Sequence, residues 1–488
     1  MNSTKLLPLL MFLTFSNTAY SQGWITINSG TGNTLTEVYF VDESTGWISG
    51  SGGLIIKSTD GGSTWSNQTS NTFQMLWALY FFDQNTGWVV GDGGLIKKTT
   101  NGGFNWSDQA SGTGASLWYV HFADASKGWI SCGGGQILTT SNGGANWLQQ
   151  TSGTGNTLYS VFFVNQQTGW VAGDGGTIRK TSNGGTNWFS QSSGTGLLLH
   201  CANFTNTLTG WITGFNGMIL STTNGGTNWI TQTTNVNVFI RSIDFSNSSN
   251  GFAAGDGGTM LATSNSGAQW TAQPSGSESN FYSICTIDPL TAWAVGENGT
   301  IRKTTTGGIN PKTLLLTALL EGSYNPNSNT MKADTVTAYL RNLSPPYIQV
   351  DSAITVIDSS GNASFNFLNA ENGTGYFLVI KHRNSVETWS SAPLTFTSNI
   401  LSYDFTDSSS RAYGNNLQLK GSRWTIYSGD VDQDGVVDAT DTGLIDNDAF
   451  GFASGYIDTD LNGDNFTDAG DLSIAENNAL AFVGVIRP

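Results

Sequence analysis

Charge, histidine and cysteine are all scarce in this chain. Only 11% of its 488 residues are charged, and 19 Lys and Arg stand against 35 Asp and Glu. A net charge of −16 with no basic surface offers nothing to neutralise phosphates, which excludes a nucleic-acid partner. The acidity is local. Thirteen acidic side chains and a single basic one, Arg487, lie between Asp430 and the C-terminus, so the remainder is close to neutral. Cys132, Cys201 and Cys285 are odd in number and unrelated in spacing. They build neither a disulfide framework nor a zinc signature, and read as isolated thiols, two of them in strands. Long apolar runs are missing too. Leu6 to Phe15 is too short to span a bilayer. With Lys5 before it and Ala19-Tyr20-Ser21 after it, it reads as an export signal over 1–21, cleaved before Gln22. No Cys follows that site to carry a lipid anchor. The sequence therefore predicts a secreted or cell-surface protein without a membrane span.

Glycine and tryptophan are abundant, at 62 and 17 residues. Together with Thr and Asn they predict short strands joined by tight turns, and the length predicts two or three domains. One octet recurs: Ser58-Thr-Asp-Gly-Gly-Ser-Thr-Trp65, then Thr99 to Trp106, Thr140 to Trp147, Thr181 to Trp188, Thr222 to Trp229, Thr263 to Trp270 and a degraded Thr304 to Pro311. The step between its tryptophans is 41 residues. Two further landmarks keep that step: Trp47, Trp88, Trp129, Trp170, Trp211, Phe252 and Trp293, and Phe40, Phe81, Phe122, Phe163, Phe204, Phe245 and Thr286. Each unit reads as four strands. Val38-Tyr39-Phe40 lies in the first and Gly46-Trp47-Ile48 opens the second. The Gly50 to Gly53 turn leads to Leu54–Ser58, and the Asp60-Gly61-Gly62 turn to a fourth strand led by Trp65. A four-stranded unit of this length, repeated radially, predicts propeller blades. Trp24 stands one period before Trp65, while Asn310-Pro311 replaces the seventh Trp-led strand. The N-terminal strand is therefore expected to complete the last blade beside Ile301 to Lys303, closing seven blades over 22–311 and removing an edge.

The octet resembles the Asp-box of sialidase-type proteins. The fuller pattern, Gly-Trp-x-x-Gly followed by Asp/Asn-Gly-Gly-x-x-Trp, resembles the photosystem II assembly/stability factor family of propellers, over residues 24–310. The resemblance implies the fold; function has to be argued from sites. The box acid survives only as Asp60, with Asn101, Asn142, Asn183, Asn224 and Asn265 elsewhere. Asn caps such a turn through its side-chain oxygen, so the boxes read as structural staples.

Residues 312–427 carry strand-like runs at Leu314 to Leu320, Thr335 to Leu340, Ala353 to Ile357, Tyr376 to Lys381 and Leu394 to Phe396, expected to form a β-sandwich. Leu320-Glu321-Gly322, Lys381-His382-Arg383-Asn384 and Tyr403-Asp404-Phe405 resemble a module that precedes dockerin-like repeats in secreted bacterial proteins. His382 and Arg383 read as strand-edge surface residues, with a binding role as the alternative. In 428–488, Asp430, Asp432, Asp434, Asp438 and Asp441 occupy positions one, three, five, nine and twelve of an EF-hand-type loop. Gly435 stands at the sharp turn, Val436 at position seven, where the backbone carbonyl ligates, and Val437 anchors the loop. Thirty residues on, Asp460, Asn462, Asp464, Phe466, Asp468 and Asp471 repeat the loop, with Asn465 for the glycine and Thr467 for the apolar anchor. Alternating oxygen donors without His or Cys suit Ca2+. Short helices are expected over Thr442–Phe450 and Leu472–Leu480. Two loop–helix units with Asp at position twelve resemble a dockerin. The resemblance implies a cohesin partner chosen by positions ten and eleven, which here are Ala439-Thr440 and Ala469-Gly470. The alternative is a tail docked on its own sandwich.

For function, one repeat column varies where its neighbours are apolar: Thr36, Trp77, Trp118, Tyr159, His200, Arg241 and Tyr282. It opens the innermost strand and is expected to ring one mouth of the central channel, where aromatic faces stack on sugars or peptide side chains. Packing between blades is the competing role for that column. Hydrolysis would need two convergent carboxylates. Asp92, Asp174, Asp256 and Glu297 recur at equivalent turn positions, as structural residues do. The propeller arginines Arg179, Arg241 and Arg302 do not read as a substrate clamp. The whole therefore reads as an all-β protein, a seven-bladed propeller with a sandwich and a small loop–helix module. Its expected role is a non-catalytic binding or scaffold protein for an extracellular glycan or protein; the alternative is an Asp-box glycoside hydrolase or an accessory of polysaccharide degradation.

Overall fold

The computed structural model describes residues 23–488, so the export signal over 1–21 and its cleavage site lie outside the described residues. The chain separates into two compact units, Gln22–Ile309 and Asn310–Pro488. No helix among the described residues is long and apolar enough to cross a membrane.

The first unit contains seven four-stranded sheets among the described residues. The first repeat shows the pattern. Leu35–Phe40, Gly46–Gly50, Ile55–Ser58 and Ser66–Gln68 run antiparallel, with the Ser51–Gly53 turn between the second and third strands. The last sheet is completed from the N-terminus. Ile25 pairs with Lys303, Thr26 with Arg302 and Ile27 with Ile301, as the repeat arithmetic requires.

The three aromatic landmarks are one device. The second-strand Trp of each blade stacks on the first-strand Phe of the next: Trp47 on Phe81 at 3.5 Å between centroids, Trp129 on Phe163 at 3.4 Å, and Trp293 on Phe40 at 3.7 Å across the closure. The indole Nε1 donates to a carbonyl in the following box, from Trp47 to Gly102 at 3.0 Å and from Trp293 to Gly61 at 3.1 Å. Each contact adds about 0.5–1.5 kcal/mol beyond burial. The stack also fixes a glycine. A Cβ at Gly87 would sit 2.5 Å from the Phe81 ring. Where the Phe becomes Thr286, the glycine is free to become Ala292, and the preceding blade carries Phe252 in place of Trp. The box asparagines hold their turns as expected. Asn101 Oδ1 accepts from Asn105 N at 2.9 Å and from Thr99 Oγ1 at 3.0 Å. All three cysteines are buried, free and in strands, one more in a strand than the sequence suggested.

In the second unit, Asn362–Phe367, Lys312–Thr317 and Ile400–Asp404 form one sheet. Gln349–Ile357, Asp334–Arg341, Gly375–His382 and Ser385–Trp389 form the other, extended by Leu394–Thr395. Leu314, Leu316, Val336, Leu340, Phe365 and Leu378 of the two sheets meet in one core with Phe405. Lys312–Thr317 pairs parallel with Ile400–Asp404.

The acidic tail forms two helices, α1 (Ala439–Phe450) and α2 (Ala469–Leu480). Both begin three residues earlier than the apolar pattern suggests, because Asp438 with Asp441, and Asp468 with Asp471, form capping boxes. The tail packs on the strands of its own unit. Val386 joins Val431, Val437, Ile445, Leu461, Ala475 and Val483 in a shared cluster. The seam is also polar. Buried Glu321 accepts from Asn478 Nδ2 at 2.7 Å and from Ser428 N at 3.1 Å. Arg383 Nη2 and Asn384 Nδ2 both donate to the Asp460 carbonyl, at 3.1 and 3.0 Å. His382 and Arg383 are therefore not strand-edge surface residues. His382 is buried, 3.0 Å from Asp334, and Arg383 spans from Asp334 to the tail. The adjoining Leu320-Glu321-Gly322 turn is equally constrained, since a Cβ at Gly322 would lie 2.1 Å from the Leu461 carbonyl oxygen.

Candidate functional site

The first strand of each blade carries a bulge. In the first blade the pairing register shifts between Leu35 and Glu37, and the same shift recurs in every blade. The irregularity turns the column Thr36, Trp77, Trp118, Tyr159, His200, Arg241 and Tyr282 onto a cavity of about 330 Å3 that all seven residues line. They form a nearly continuous belt. Trp77 and Trp118 lie 4.7 Å apart, Trp118 and Tyr159 5.1 Å, Tyr159 and His200 5.5 Å. The Arg241 guanidinium sits 4.7 Å from the Tyr282 ring centre. Packing between blades and lining of the mouth, posed as alternatives, are therefore both true of these side chains. Thr36 is the exception in character, buried with its hydroxyl donated to the Leu76 carbonyl at 2.6 Å.

The turn carboxylates stand beside the belt, each paired with the ring residue fifteen positions earlier. Trp77 Nε1 donates to Asp92 at 2.8 Å, Tyr159 to Asp174 at 3.5 Å and Tyr282 to Glu297 at 3.3 Å, while Arg241 pairs with Asp256 at 2.5 Å. In the other three blades the turn position is Ser51, Gly133 or Phe215. Opposite Gly133, the Trp118 Nε1–H is left without an acceptor. His200 donates Nδ1–H to the Arg241 carbonyl at 2.6 Å. Burial holds the imidazole down at about 4, against the opposing hydrogen bond to the Arg241 carbonyl, so His200 brings an aromatic face and no charge at neutral pH. Arg179 bonds the Gly153 carbonyl at 2.6 Å and Arg302 that of Gly276, as blade residues do.

Sequence reasoning missed the channel wall below the mouth. Glu37, Tyr119, Cys201 and Ser242 line both this cavity and a second one of about 550 Å3, which also meets Tyr39, Tyr80, His121, Phe162, Asn203, Asp244 and Cys285. These are the columns one and three residues after the ring. Their signal was present, as polar residues interleaved with the uniform Val38, Leu79, Val120 column, but strict strand alternation sets both columns on the face opposite the ring, so only one of the two sets could be given to the channel. The wall is acidic. Asp244 accepts from Asn203 Nδ2 and Thr286 N, both at 2.8 Å, yet burial lifts its carboxyl to about 6. Glu37 accepts one hydrogen bond from Ser283, at 3.0 Å, and burial raises its carboxyl to about 8, with Asp244 adding to the rise.

Glu37 makes the propeller pH-sensitive with a definite sign. Its folded value lies above the ordinary 4.5, so the fold favours the neutral carboxyl. That contribution is complete below 4.5 and is lost as pH rises through about 8. Glu37→Gln keeps the shape without the charge. Its melting temperature should match the parent near pH 4 and exceed it by several degrees at pH 9, for a difference of up to roughly 3–5 kcal/mol. Melting curves that stay superimposed across that range would contradict the assignment.

In the tail, the first loop brings the Asp430, Asp432 and Asp434 carboxylates within 4.8 Å of one another. Burial lifts Asp430 to about 6, and the carboxylates of Asp441, Asp434 and Asp432 push it the same way. Asp441 is buried behind them, accepting from the backbone N–H of Val431 at 2.8 Å, Asp432 at 3.2 Å and Asp438 at 2.9 Å. Asp438 caps α1 through Thr440 N at 2.7 Å. In the second loop Asp471 and Asp468 repeat these bonds, and Asp464 N donates to Asn462 at 2.9 Å. Asn465 takes the left-handed φ of +73° where Gly435 has +97°, so the missing glycine costs the loop no geometry. Thr467 is buried in the anchor position, 3.0 Å from the Thr459 hydroxyl. Val436 and Phe466 both take a bond from N–H to the loop carboxylate two residues back, at 2.9 Å. The oxygen-only donor set fits a hard cation of calcium size.

The blades and their box turns define an Asp-box β-propeller. Residues 16–113 and 186–352, more than half of the chain, match the family model for the photosynthesis system II assembly factor YCF48, and the chain belongs to that family. Among solved structures it is similar to YCF48 bound to D1 peptide, at 22% identity and a TM-score of 0.51, over 58% of this chain and 96% of that one. It is also similar to YCF48 from Cyanidioschyzon merolae, at 20% identity and 0.50, over 58% and 98%. These likenesses establish the fold. No curated protein matches the chain.

Proposed function

We propose that this is a non-catalytic binding protein whose propeller mouth takes a segment of a partner protein, outside the cell or at its surface. The observation that carries the reading is the belt of partly buried aromatic side chains lining one cavity at the channel mouth. A family member bound to a peptide favours protein over glycan as the ligand. Against the hydrolase alternative, each mouth carboxylate is engaged by the ring residue of its own blade, which suits a supporting role better than acid–base work. We propose further that the tail loops bind Ca2+, through Asp430, Asp432, Asp434 and the Val436 carbonyl in the first and their counterparts in the second. There the ion would neutralise clustered carboxylates and brace the loops.

The test is a peptide and glycan array probed with the protein and with Trp77→Ala/Trp118→Ala. Each aromatic contact is worth about 0.5–1.5 kcal/mol, so the double change should weaken ligands of the mouth by roughly tenfold or more, with the melting curve little changed. Ligands that ignore both tryptophans would refute the mouth as the site. Sugar released in proportion to added protein would refute the non-catalytic reading.

A further inference from the structure

The mouth already shows how it holds a positive charge. The Arg241 guanidinium lies 4.5 Å from the Phe239 ring centre and 4.7 Å from that of Tyr282, and pairs with Asp256. A cation there rests on aromatic faces with a carboxylate behind it, the two sources of attraction adding. The same construction recurs around the belt without the cation. Trp77 is backed by Asp92, Tyr159 by Asp174 and Tyr282 by Glu297. Four carboxylates thus stand behind the belt against one guanidinium in it, and His200 is neutral there. Aromatic walls alone would suit any flat apolar group; walls with surplus negative charge select a cation.

Resting on the reading of the mouth as a binding site, we propose that its ligand is a Lys or Arg side chain projecting from an extended segment of the partner protein. Seven blades fix where it sits. Arg241 belongs to the sixth blade, so the second and third lie opposite it across the mouth. Those blades contribute Trp77 and Trp118, whose rings are 4.7 Å apart. A bound cation is repelled by Arg241 and settles on this pair, with Asp92 behind it and Asp174 beside it.

Fluorescence anisotropy of labelled Gly/Ser peptides, each with one central Lys, Arg, norleucine or Glu, tests the proposal on the full chain. The Lys and Arg peptides should saturate at least tenfold more tightly than norleucine, and their affinity should fall with added salt. Asp92→Asn with Asp174→Asn should erase most of that preference, whereas Arg241→Gln should tighten the Lys peptide severalfold by removing the internal competitor. A norleucine or Glu peptide binding as well as Lys overturns the proposal, as does the absence of saturable binding to every peptide. The two readings fail differently. Array ligands that need Trp77 and Trp118 but carry no cation sink the charge preference and leave the mouth as the site. Ligands that ignore both tryptophans sink the two together.

Discussion

Chelating calcium should lower the melting temperature of the C-terminal unit by roughly 5–10 °C, and Asp430→Ala should abolish most of the shift attributable to the first loop. An ion present at a hundred times its dissociation constant stabilises the folded state by about 2.7 kcal/mol. In a unit of this length each kcal/mol is worth about 2–4 °C. The loss should not stay in the tail. The second loop's first residue, Asp460, offers its carbonyl to both Arg383 and Asn384, and α2 sends Asn478 into the buried Glu321. Loosening either loop therefore unseats side chains that complete the edge of the five-stranded sheet. Calorimetry with and without EGTA checks the first point. Near-UV dichroism, which sees Trp389 where it packs with Phe377 and Val379 against Val485 of the tail, checks the second. A tail that melts early while Trp389 keeps its signal to the original temperature would show that the seam does not couple them. No thermal shift and no heat of binding at millimolar calcium would remove the calcium site altogether.

What could be read from the sequence follows how local each feature is. Three landmarks at one spacing were enough for blade number and for the closing strand, because a repeat states its own geometry each time. Even its exceptions were informative. Phe252, Thr286 and Ala292 depart from the pattern together, and the structure shows why: the indole, the ring it stacks on and the glycine that clears that ring are one contact. The channel wall was harder. Strict alternation puts one face of each inner strand on the axis, and the bulge after the first residue puts Glu37 and Tyr39 there with Thr36. Bulges leave no mark in composition. The docking role of Glu321, Arg383 and Asn384 was hidden for another reason. Their partners Asn478 and Asp460 lie far along the chain, and a short Leu-Glu-Gly or His-Arg-Asn stretch looks the same whether it meets water or a helix. Likewise, Asp441 was legible as a loop carboxylate but not as the acceptor of three backbone N–H groups, which places it beneath the acidic cluster.

Deleting residues 23–28, the strand that closes the ring, should destabilise the propeller by more than any single blade substitution. Trp24 is buried at 2% exposure, donates its indole N–H to Gln273 at 2.8 Å and meets Phe252 edge to face at 5.8 Å. Its removal alone should cost about 3–5 kcal/mol, the range for losing a buried Trp. Trp147 makes the comparison, being buried to 7% in the octet of the third blade. Trp147→Ala loses similar area while every sheet keeps four strands. The deletion loses three ladder pairs as well, Ile25 with Lys303, Thr26 with Arg302 and Ile27 with Ile301. It also bares Ile301–Thr304 as an unpaired edge, which invites strand addition from a second molecule. The expected result is a melting temperature below that of Trp147→Ala, together with concentration-dependent association in sedimentation. A truncated protein that stays monomeric and melts with Trp147→Ala would mean that the N-terminal strand fills a slot without closing a ring. In that case the stack of Trp293 on Phe40, with its bond to Gly61, holds the first and last blades together unaided.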